Sequence, residues 1–470
     1  MIAIPGVKNR KIGVFGLGAT GLAAADALIA SGAQVFTFDE SPAAREKTAN
    51  TEYRAEHPKQ WPWAELSSLV LSPGVPLTHP KPHAIVRKAI AEGVEVIGDI
   101  ELFARALAAL DEKARPKVVA VTGSNGKSTT TALIGHILKE AGFEVSIGGN
   151  IGKAILSLEP LAPARVYVLE LSSFQLDLAK SFRANVAVML NVSPDHIDRH
   201  GDLAGYVEAK RRLFLHQMAA DTAVVGVDDT ESQSVCAALS CAGMQKVVPV
   251  SAEGALGRGV FALGGKLFYN IDSKTGEAGD IRQIASLNGA HNWQNAAAAL
   301  AAVMALGVSP AVAVKAMERF EGLPHRMEIV GRIGAVTFVN DSKATNADAA
   351  AKALKSYKDI FWIAGGKAKE GGAASLRPLM SRVRAVYLIG EAAKEFEEQL
   401  AGAVPCIQCG DLAAATARAA RDAAQSELAA PVVLLSPACA SYDQFRNFEE
   451  RGDAFRRLVG RTAQSSGEAA

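Results

Sequence analysis

The stretch that most constrains this chain is Val118 to Lys139, VVAVTGSNGKSTTTALIGHILK. Val118–Val121 is a short, apolar, β-branched run suited to a buried strand. Leu133, Ile134, Ile137 and Leu138 then recur at helical spacing, and Gly142 reads as the helix stop. Between them, Gly123, Ser124, Asn125, Gly126, Lys127, Ser128 and Thr129 place glycines where the backbone must turn tightly. Strand, glycine-bearing turn and helix start make an anion cradle, because backbone N–H groups and the positive helix end converge on a phosphate. In such a loop Lys127 reaches the β/γ-phosphates and the Ser128 hydroxyl reaches Mg²⁺. The spacing departs from G-x-x-x-x-G-K-[ST], since Gly123 lies only three residues before Gly126. G-K-S-T alone could open any helix; the strand before it and the helix after it favour a nucleotide site.

A second glycine motif opens the chain. Ile12–Phe15 reads as a strand, followed by Gly16-Leu17-Gly18-Ala19-Thr20-Gly21, a helix ending near Gly32, and a strand Val35–Phe38 with Asp39 at its end. This is the dinucleotide fingerprint, and read alone it would justify an NAD-dependent dehydrogenase. The same cradle holds any pyrophosphate, including that of a nucleotide sugar. Further strands at Leu69–Leu71 and Val94–Ile97 make this a doubly wound α/β domain. Ser72-Pro73-Gly74 falls at the carboxyl edge, where such sheets bind ligands or simply turn. Residues 108–117 have linker composition.

In the middle of the chain, Gly148-Gly149-Asn150-Ile151-Gly152 reads as another glycine-rich turn, and the strand Val166–Glu170 ends on a carboxylate. An acid one strand away from a phosphate loop is a usual second anchor for Mg²⁺. The strand Val186–Leu190 leads into Asn191-Val192-Ser193-Pro194-Asp195-His196-Ile197-Asp198-Arg199-His200, where His196, between two acids, is the better ligand candidate and His200 is read as solvated or capping. Leu203–Met218 reads as a helix on which Leu203, Val207, Lys210 and Phe214 share one face. Lys210 either snorkels to water beside Arg211 and Arg212 or is buried as a neutral amine. From Thr222 to Asn288 short strands are expected, with a hairpin turn at Gly264-Gly265, before a long alanine-rich helix. The last third restarts the β–α alternation, with strands at Val336–Asn340, Ile360–Ala364, Val386–Ile389 and Val432–Leu435 in an open parallel sheet. Polar clusters at 340–346, 365–369 and 436–445 fall at strand ends and point to a ligand crevice.

Composition excludes several classes. At 470 residues the chain has room for about two to four domains. A net charge of +1 gives no basic footprint for nucleic acid. Five cysteines in such a length are not a disulfide framework, and Cys406-x-x-Cys409 reads as packing. The first residues lack signal-peptide organisation, and the apolar run Ala296–Val308 is short for a membrane span, so a cytoplasmic protein is expected.

T-G-S-N-G-K-S-T-T at 122–130, E-L-S-S-F-Q-L at 170–176, N-V-S-P-D-H-I-D-R-H at 191–200, G-x-H-N-x-x-N at 289–295, L-P-H-R at 323–326 and N-D-S-K-A-T-N at 340–346 together resemble the Mur ligases, ATP-dependent amide-bond ligases of peptidoglycan synthesis. The variants at 170–176 and S-P-A-C-A-S-Y-D-Q-F at 436–445 are most similar to the branch that adds D-glutamate to UDP-N-acetylmuramoyl-L-alanine. The resemblance implies a Rossmann-like N-terminal domain (1–108) binding the UDP-substrate. A central P-loop ATPase-like domain with a mixed sheet (109–322) would bind ATP, and a Rossmann-like C-terminal domain (323–470) the amino acid. It implies a monomer with two Mg²⁺ ions, one at Ser128 and Glu170, the other at His196 and a carbamate on Lys210. Lys127, His196, Lys210 and Lys343 match catalytic positions. Gly123–Thr129, Asn292, Asn295, Arg326 and Asp341 match ATP-binding ones. Gly18, Ala19, Thr20, Asp39, Ser72, Pro73, Gly74, Asn150 and Ser173 match the uridine and muramoyl-alanine end, and Thr345, Lys369, Ser441 and Phe448, with Lys343, the D-glutamate pocket. Gly365-Gly366-Lys367-Ala368-Lys369 departs from G-G-x-G-K, and Tyr442 stands where leucine is common.

Overall fold

The computed structural model describes residues 1–46, 53–368 and 371–466. It forms two compact units, Met1–Ile281 with Asn292–Arg319, and Arg282–His291 with Phe320–Ala470.

The first unit carries two sheets. In the N-terminal one, Lys11–Phe15 (β1), Gln34–Phe38 (β2), Arg54–Ala55 (β3), Leu66–Leu71 (β4) and Glu95–Ile97 (β5) lie in the order β3-β2-β1-β4-β5. Every pairing is parallel. The order reverses at β1, so the glycine turn and the helix Ala19–Ala30 sit at the switch point where open sheets take ligands. Gly21 is required there: a Cβ on it would lie 1.8 Å from the Gly16 carbonyl oxygen.

The second sheet has nine strands: Lys117–Thr122 (β6), Glu144–Gly149 (β7), Arg165–Glu170 (β8), Val186–Met189 (β9), Thr222–Gly226 (β10), Lys246–Ser251 (β11), Gly259–Leu263 (β12), Lys266–Ile271 (β13) and Lys274–Asp280 (β14). The order is β14-β13-β12-β11-β10-β9-β6-β8-β7, parallel from β7 to β12 and antiparallel beyond, hence mixed. β6 is fully apolar and buried from Val118 to Val121, and the helix Lys127–Glu140 covers it with Leu133, Ile134, Ile137 and Leu138.

The expected run of short strands from Thr222 to Asn288 is interrupted by a helix, Thr230–Ala242, capped by the Asp229 side chain and stopped by Gly243 at φ 65°. Gly148 and Gly149 close β7 instead of forming a free turn. The helix expected to reach Met218 ends at Arg211 and tightens into a 3₁₀ turn, Arg212–Phe214.

The second unit holds one sheet: Glu328–Ile333 (β15), Val336–Asn340 (β16), Ile360–Gly365 (β17), Val383–Ile389 (β18), Cys406–Gly410 (β19) and Val432–Leu435 (β20), ordered β15-β16-β20-β17-β18-β19. It is parallel except for the edge strand β15, which runs antiparallel to β16 and corrects the all-parallel expectation. Cys406 and Cys409 lie on β19 and pack into the clusters on opposite faces of the sheet, as alternation along a strand requires. Among the described residues no helix is long and apolar enough to cross a membrane.

Candidate active site

In the first unit the sheet order does the assembly. β9, β6 and β8 are neighbours, so the segments leaving their carboxyl ends emerge side by side. Val121 pairs with Glu170, which brings the carboxylate level with the start of the glycine loop. The loop is fastened to the segment after β9: Ser124 N–H donates to the Asn191 carbonyl at 2.8 Å and Asn125 N–H to the Asn191 side chain at 2.9 Å. Gly126, at φ 85°, precedes the helix; a Cβ there would meet the Asn295 side chain at 2.2 Å, so the loop and the helix bearing Asn292 and Asn295 are in close approach. Asn292 and Asn295 are buried and bonded to each other at 3.1 Å.

Two lysines converge on one carbonyl of this loop. Lys127 Nζ donates to Gly123 O at 2.8 Å and Ser124 O at 2.9 Å; Lys210 Nζ donates to the same Gly123 O at 2.9 Å. Lys210 is 1% exposed, its ammonium 4.3 Å from the Tyr206 ring centroid. Burial first, and the Lys127 charge second, drive its pKa well below the usual lysine value, and Asp195 offsets little of this. The structure thus places it buried, with its charged form disfavoured, not snorkelling. Tyr206, pushed up to about 12 by burial, lies 3.2 Å from the Ser124 hydroxyl and walls this corner.

Glu170 is buried. Its Oε1 accepts from the Asn150 side chain at 2.8 Å, while Oε2 is buried with no hydrogen-bond partner among the described residues. A buried carboxylate oxygen left open is costly unless a ligand completes it, which is what a Mg²⁺ site needs. Among the described residues no three His, Cys, Asp or Glu side chains gather at one point.

His196 is half-exposed, at φ 53°, against the Phe174 ring at 5.0 Å. Burial holds its pKa below the ordinary value against the pull of Asp195 and Asp198, so near pH 7 a ring nitrogen keeps its lone pair. His200, expected to be solvated or capping, is instead buried: Nε2 lies 2.9 Å from Ser173 Oγ and Nδ1 3.3 Å from Asp177, with the ring stacked on Phe174. The partners come from the turn after β8, which the β9-β6-β8 order brings close.

At the N-terminal sheet, Asp39 accepts from the Leu17 N–H at 2.6 Å and the Ser41 N–H at 2.8 Å, which holds the glycine turn to the end of β2. Gly18, Ala19 and Thr20 begin the helix, and a Cβ on Gly18 would meet open space. Ser72 Oγ donates to Gly16 O at 2.9 Å, so Ser72, Pro73 and Gly74 lie beside the turn.

In the second unit, β16, β20 and β17 are neighbours, and the three polar clusters leave their carboxyl ends together. Asp341 is buried; its carboxylate accepts from Ser436 Oγ at 2.8 Å and the Met327 N–H at 3.2 Å, and burial raises its pKa to about 7. Lys343 places its ammonium 4.9 Å from the Phe448 ring centroid. Thr345 N–H donates to Lys343 O at 2.9 Å, and buried Ser441 O accepts from the Phe445 N–H at 2.8 Å. Lys367 and Ala440 bond backbone to backbone, tying the second cluster to the third. Arg326 is half-buried beside them in sequence at the boundary turn. Lys369 lies outside the described residues. Arg451, not singled out in the sequence, is buried and donates to Ser342 Oγ, Ser342 O and Cys439 O, fixing two of the clusters.

Comparison with known proteins fits this geometry. Family profiles match in chain order: Mur ligase MurD-like, N-terminal domain over residues 10–98; Mur ligase middle domain over 121–303; Mur ligase, glutamate ligase domain over 325–439. The UDP-N-acetylmuramoylalanine–D-glutamate ligase of Caulobacter vibrioides (strain NA1000 / CB15N) is 52% identical over 470 residues, covering 100% of both chains. The chain belongs to the Mur ligase family. The enzyme of the same description from Phenylobacterium zucineum (strain HLK1) is likewise 52% identical over 470 residues, with 100% of each chain covered. A crystal structure of the MurF ligase of Thermotoga maritima in complex with ADP matches with a TM-score of 0.56 at 17% identity, over 98% of each chain, and shows the shared three-domain Mur ligase fold. As a Mur ligase, this chain is an enzyme, an ATP-dependent ligase.

Proposed function

We propose that this Mur ligase joins D-glutamate to UDP-N-acetylmuramoyl-L-alanine, with ATP consumed through an acyl phosphate, in the cytoplasmic synthesis of peptidoglycan precursors. The observation that carries the choice of substrates is the 52% identity, over the whole length of both chains, to ligases so named. Residues 1–108 serve as the UDP-substrate domain, 109–322 as the ATP domain and 323–470 as the amino-acid domain of a monomer.

The alanyl carboxylate attacks the γ-phosphate of ATP, ADP leaves, and the amine of D-glutamate attacks the acyl phosphate and expels phosphate. Two steps are needed because a carboxylate oxygen is a poor leaving group and phosphate a good one. The residues Gly123–Thr129 cradle the phosphates with backbone N–H groups, and Lys127 turns from its own loop carbonyls to the transferring phosphoryl group. Ser128 with the open oxygen of Glu170, and His196 with a Lys210 carbamate, would hold Mg²⁺, which would supply further neutralisation of that charge when bound. The carbamate forms from the neutral Lys210 amine and CO₂ with release of one proton, and burial favours that neutral form. Asn292, Asn295, Arg326 and Asp341 hold the nucleotide. Gly18, Ala19, Thr20, Asp39, Ser72, Pro73, Gly74, Asn150 and Ser173 hold the uridine and muramoyl-alanine end; Lys343, Thr345, Lys369, Ser441 and Phe448 hold D-glutamate. Phosphate release with UDP-N-acetylmuramoyl-L-alanine, ATP, Mg²⁺ and a panel of D- and L-amino acids tests the reading. Release that depends on D-glutamate is expected; release with another amino acid and none with D-glutamate overturns it.

A further inference from the structure

The loop after β4 carries a cation that the chemistry above does not use. Arg199 stands on the helical turn Ile197–His200, and its guanidinium reaches that loop: Nη1 donates to Gly74 O at 3.0 Å and Nη2 to Pro73 O at 3.3 Å. Its carbon lies 4.6 Å from the Phe174 ring centroid, and Nε is buried with no hydrogen-bond partner among the described residues. The acids that favour its charge, Asp198 and Asp177, are outweighed by burial. A guanidinium committed to two backbone carbonyls and a ring face acts as a clamp, because a planar fork can bridge two acceptors and stack at once.

What it clamps is specific. The Phe174 ring also meets His196 at 5.0 Å and His200 at 5.3 Å, the latter nearly parallel at 10°. His196 is in the left-handed region, at φ 53°, which is uncommon outside glycine though histidine enters it more readily than most side chains. On the other side, Ser72 Oγ donates to Gly16 O, and Val75 N–H donates to Ser72 O at 3.0 Å. Contacts therefore run without a gap from the N-terminal glycine turn through Ser72, Pro73 and Gly74 to Arg199, Phe174 and His196.

We propose that Arg199 is a positioning residue that makes the placement of His196 depend on the Ser72–Gly74 loop, so that a uridine nucleotide seated on that loop sets the imidazole beside the phosphate loop. The inference rests on the proposed reading of the N-terminal domain as the uridine-nucleotide site. The alternative is a clamp that only adds stability.

The test uses the full chain with Arg199→Gln and Arg199→Lys; lysine keeps the charge but cannot bridge both carbonyls. Binding of UDP-N-acetylmuramoyl-L-alanine is measured calorimetrically without ATP or Mg²⁺, and kcat and each KM are measured separately. Both variants should bind the uridine substrate about threefold to thirtyfold more weakly and lose kcat by a similar factor, the range typical of couplings between sites, with the KM for ATP unchanged. Combined with His196→Ala, Arg199→Gln should cause no further loss of kcat, since both act through one imidazole. Multiplicative losses in the double variant, or a lowered Tm with equal effects on both substrates, overturn the proposal. Wild-type protein that binds no uridine nucleotide would overturn the domain reading and this inference together; wild-type binding with unaltered variants overturns this inference alone.

Discussion

Replacing Lys210 separates its structural role from its chemical one. Lys210→Met keeps an apolar stem of similar length beside the Tyr206 ring and removes the amine. The hydrogen bond from its amine to Gly123 O is worth roughly 0.5–1.5 kcal/mol. Against that loss stands the cost of burying this group, 1% exposed beside Lys127, where the folded state disfavours a proton that the unfolded chain binds, a cost that goes with the amine. The two oppose each other, so urea unfolding should show a stability change within about 1 kcal/mol or a small gain. Activity should behave differently. If the amine carries the carbamate, its loss removes a preorganised group at the phosphoryl site, a fall of about 10²–10³ in kcat.

Phosphate release with the two substrates and ATP measures the fall, and Lys210→Ala, which leaves room for a small anion, should regain part of it with added acetate. Wild-type activity should also drop in CO₂-depleted buffer and return with bicarbonate. Lys210→Met within tenfold of wild type would refute the reasoning. So would a wild-type enzyme indifferent to CO₂ with an alanine variant that acetate does not rescue. A loss of activity that tracks a loss of stability would show the amine to be structural.

Lys127→Ala should lower kcat by about 10²–10³ through lost charge stabilisation, and a variant within tenfold of wild type would make the loop structural. Ser441→Ala should raise the KM for D-glutamate with that for ATP nearly unchanged; equal changes would indicate a folding defect. Because burial raises the Asp341 carboxyl from 3.8 to about 7, the folded state binds the extra proton, and its contribution to stability is lost as pH rises through that window. Asp341→Asn should therefore gain stability relative to wild type between pH 4 and pH 8 in thermal melts, and parallel curves would contradict this. Calorimetry of the full chain should show UDP binding more tightly than NAD⁺; the reverse order would return the N-terminal fingerprint to a dehydrogenase reading.

Both glycine turns were legible because each is local: a strand, a turn and a helix within about 30 residues, with the spacing itself carrying the geometry. The helix Thr230–Ala242 was not, although Asp229 and Gly243 stand at its ends, because its residues TESQSVCAALSCA bury only Ser232, Val235 and Cys236 and so make little apolar periodicity. β19 was missed for a similar reason, since CIQCG is short and only half-buried at an edge. His200 was misread because its environment is not local: Ser173, Asp177 and Phe174 reach it only once β8, β6 and β9 are ordered side by side. Strand order is what a sequence states least, and it decides which side chains share a corner.

The shortened phosphate loop shows the same division. Its spacing, with Gly123 three residues before Gly126, looks deficient against the longer motif, which has more backbone to wrap an anion. The structure makes up the difference from outside the loop. Asn191, the second residue past β9, holds the Ser124 N–H by its backbone carbonyl and the Asn125 N–H by its side chain, and Asn295 closes on Gly126 from the helix far along the chain. Neither asparagine belongs to the motif, and each was noticed in the sequence only as part of another segment. A loop this short keeps its shape because its neighbours supply the fixing contacts, which ties phosphate binding to the integrity of β9 and of the helix Ala290–Ala305. Asn191→Ala keeps the backbone bond to Ser124 but removes the side-chain bonds to the Asn125 N–H at 2.9 Å and the Asn125 carbonyl at 3.2 Å, so it should weaken ATP binding by roughly 1–3 kcal/mol, while Gln294→Ala, which loses one bond to Asn191 at 3.3 Å, should cost less. Calorimetric titration with ATP reads both, and an Asn191 variant that binds as tightly as wild type would show that the loop holds its shape unaided.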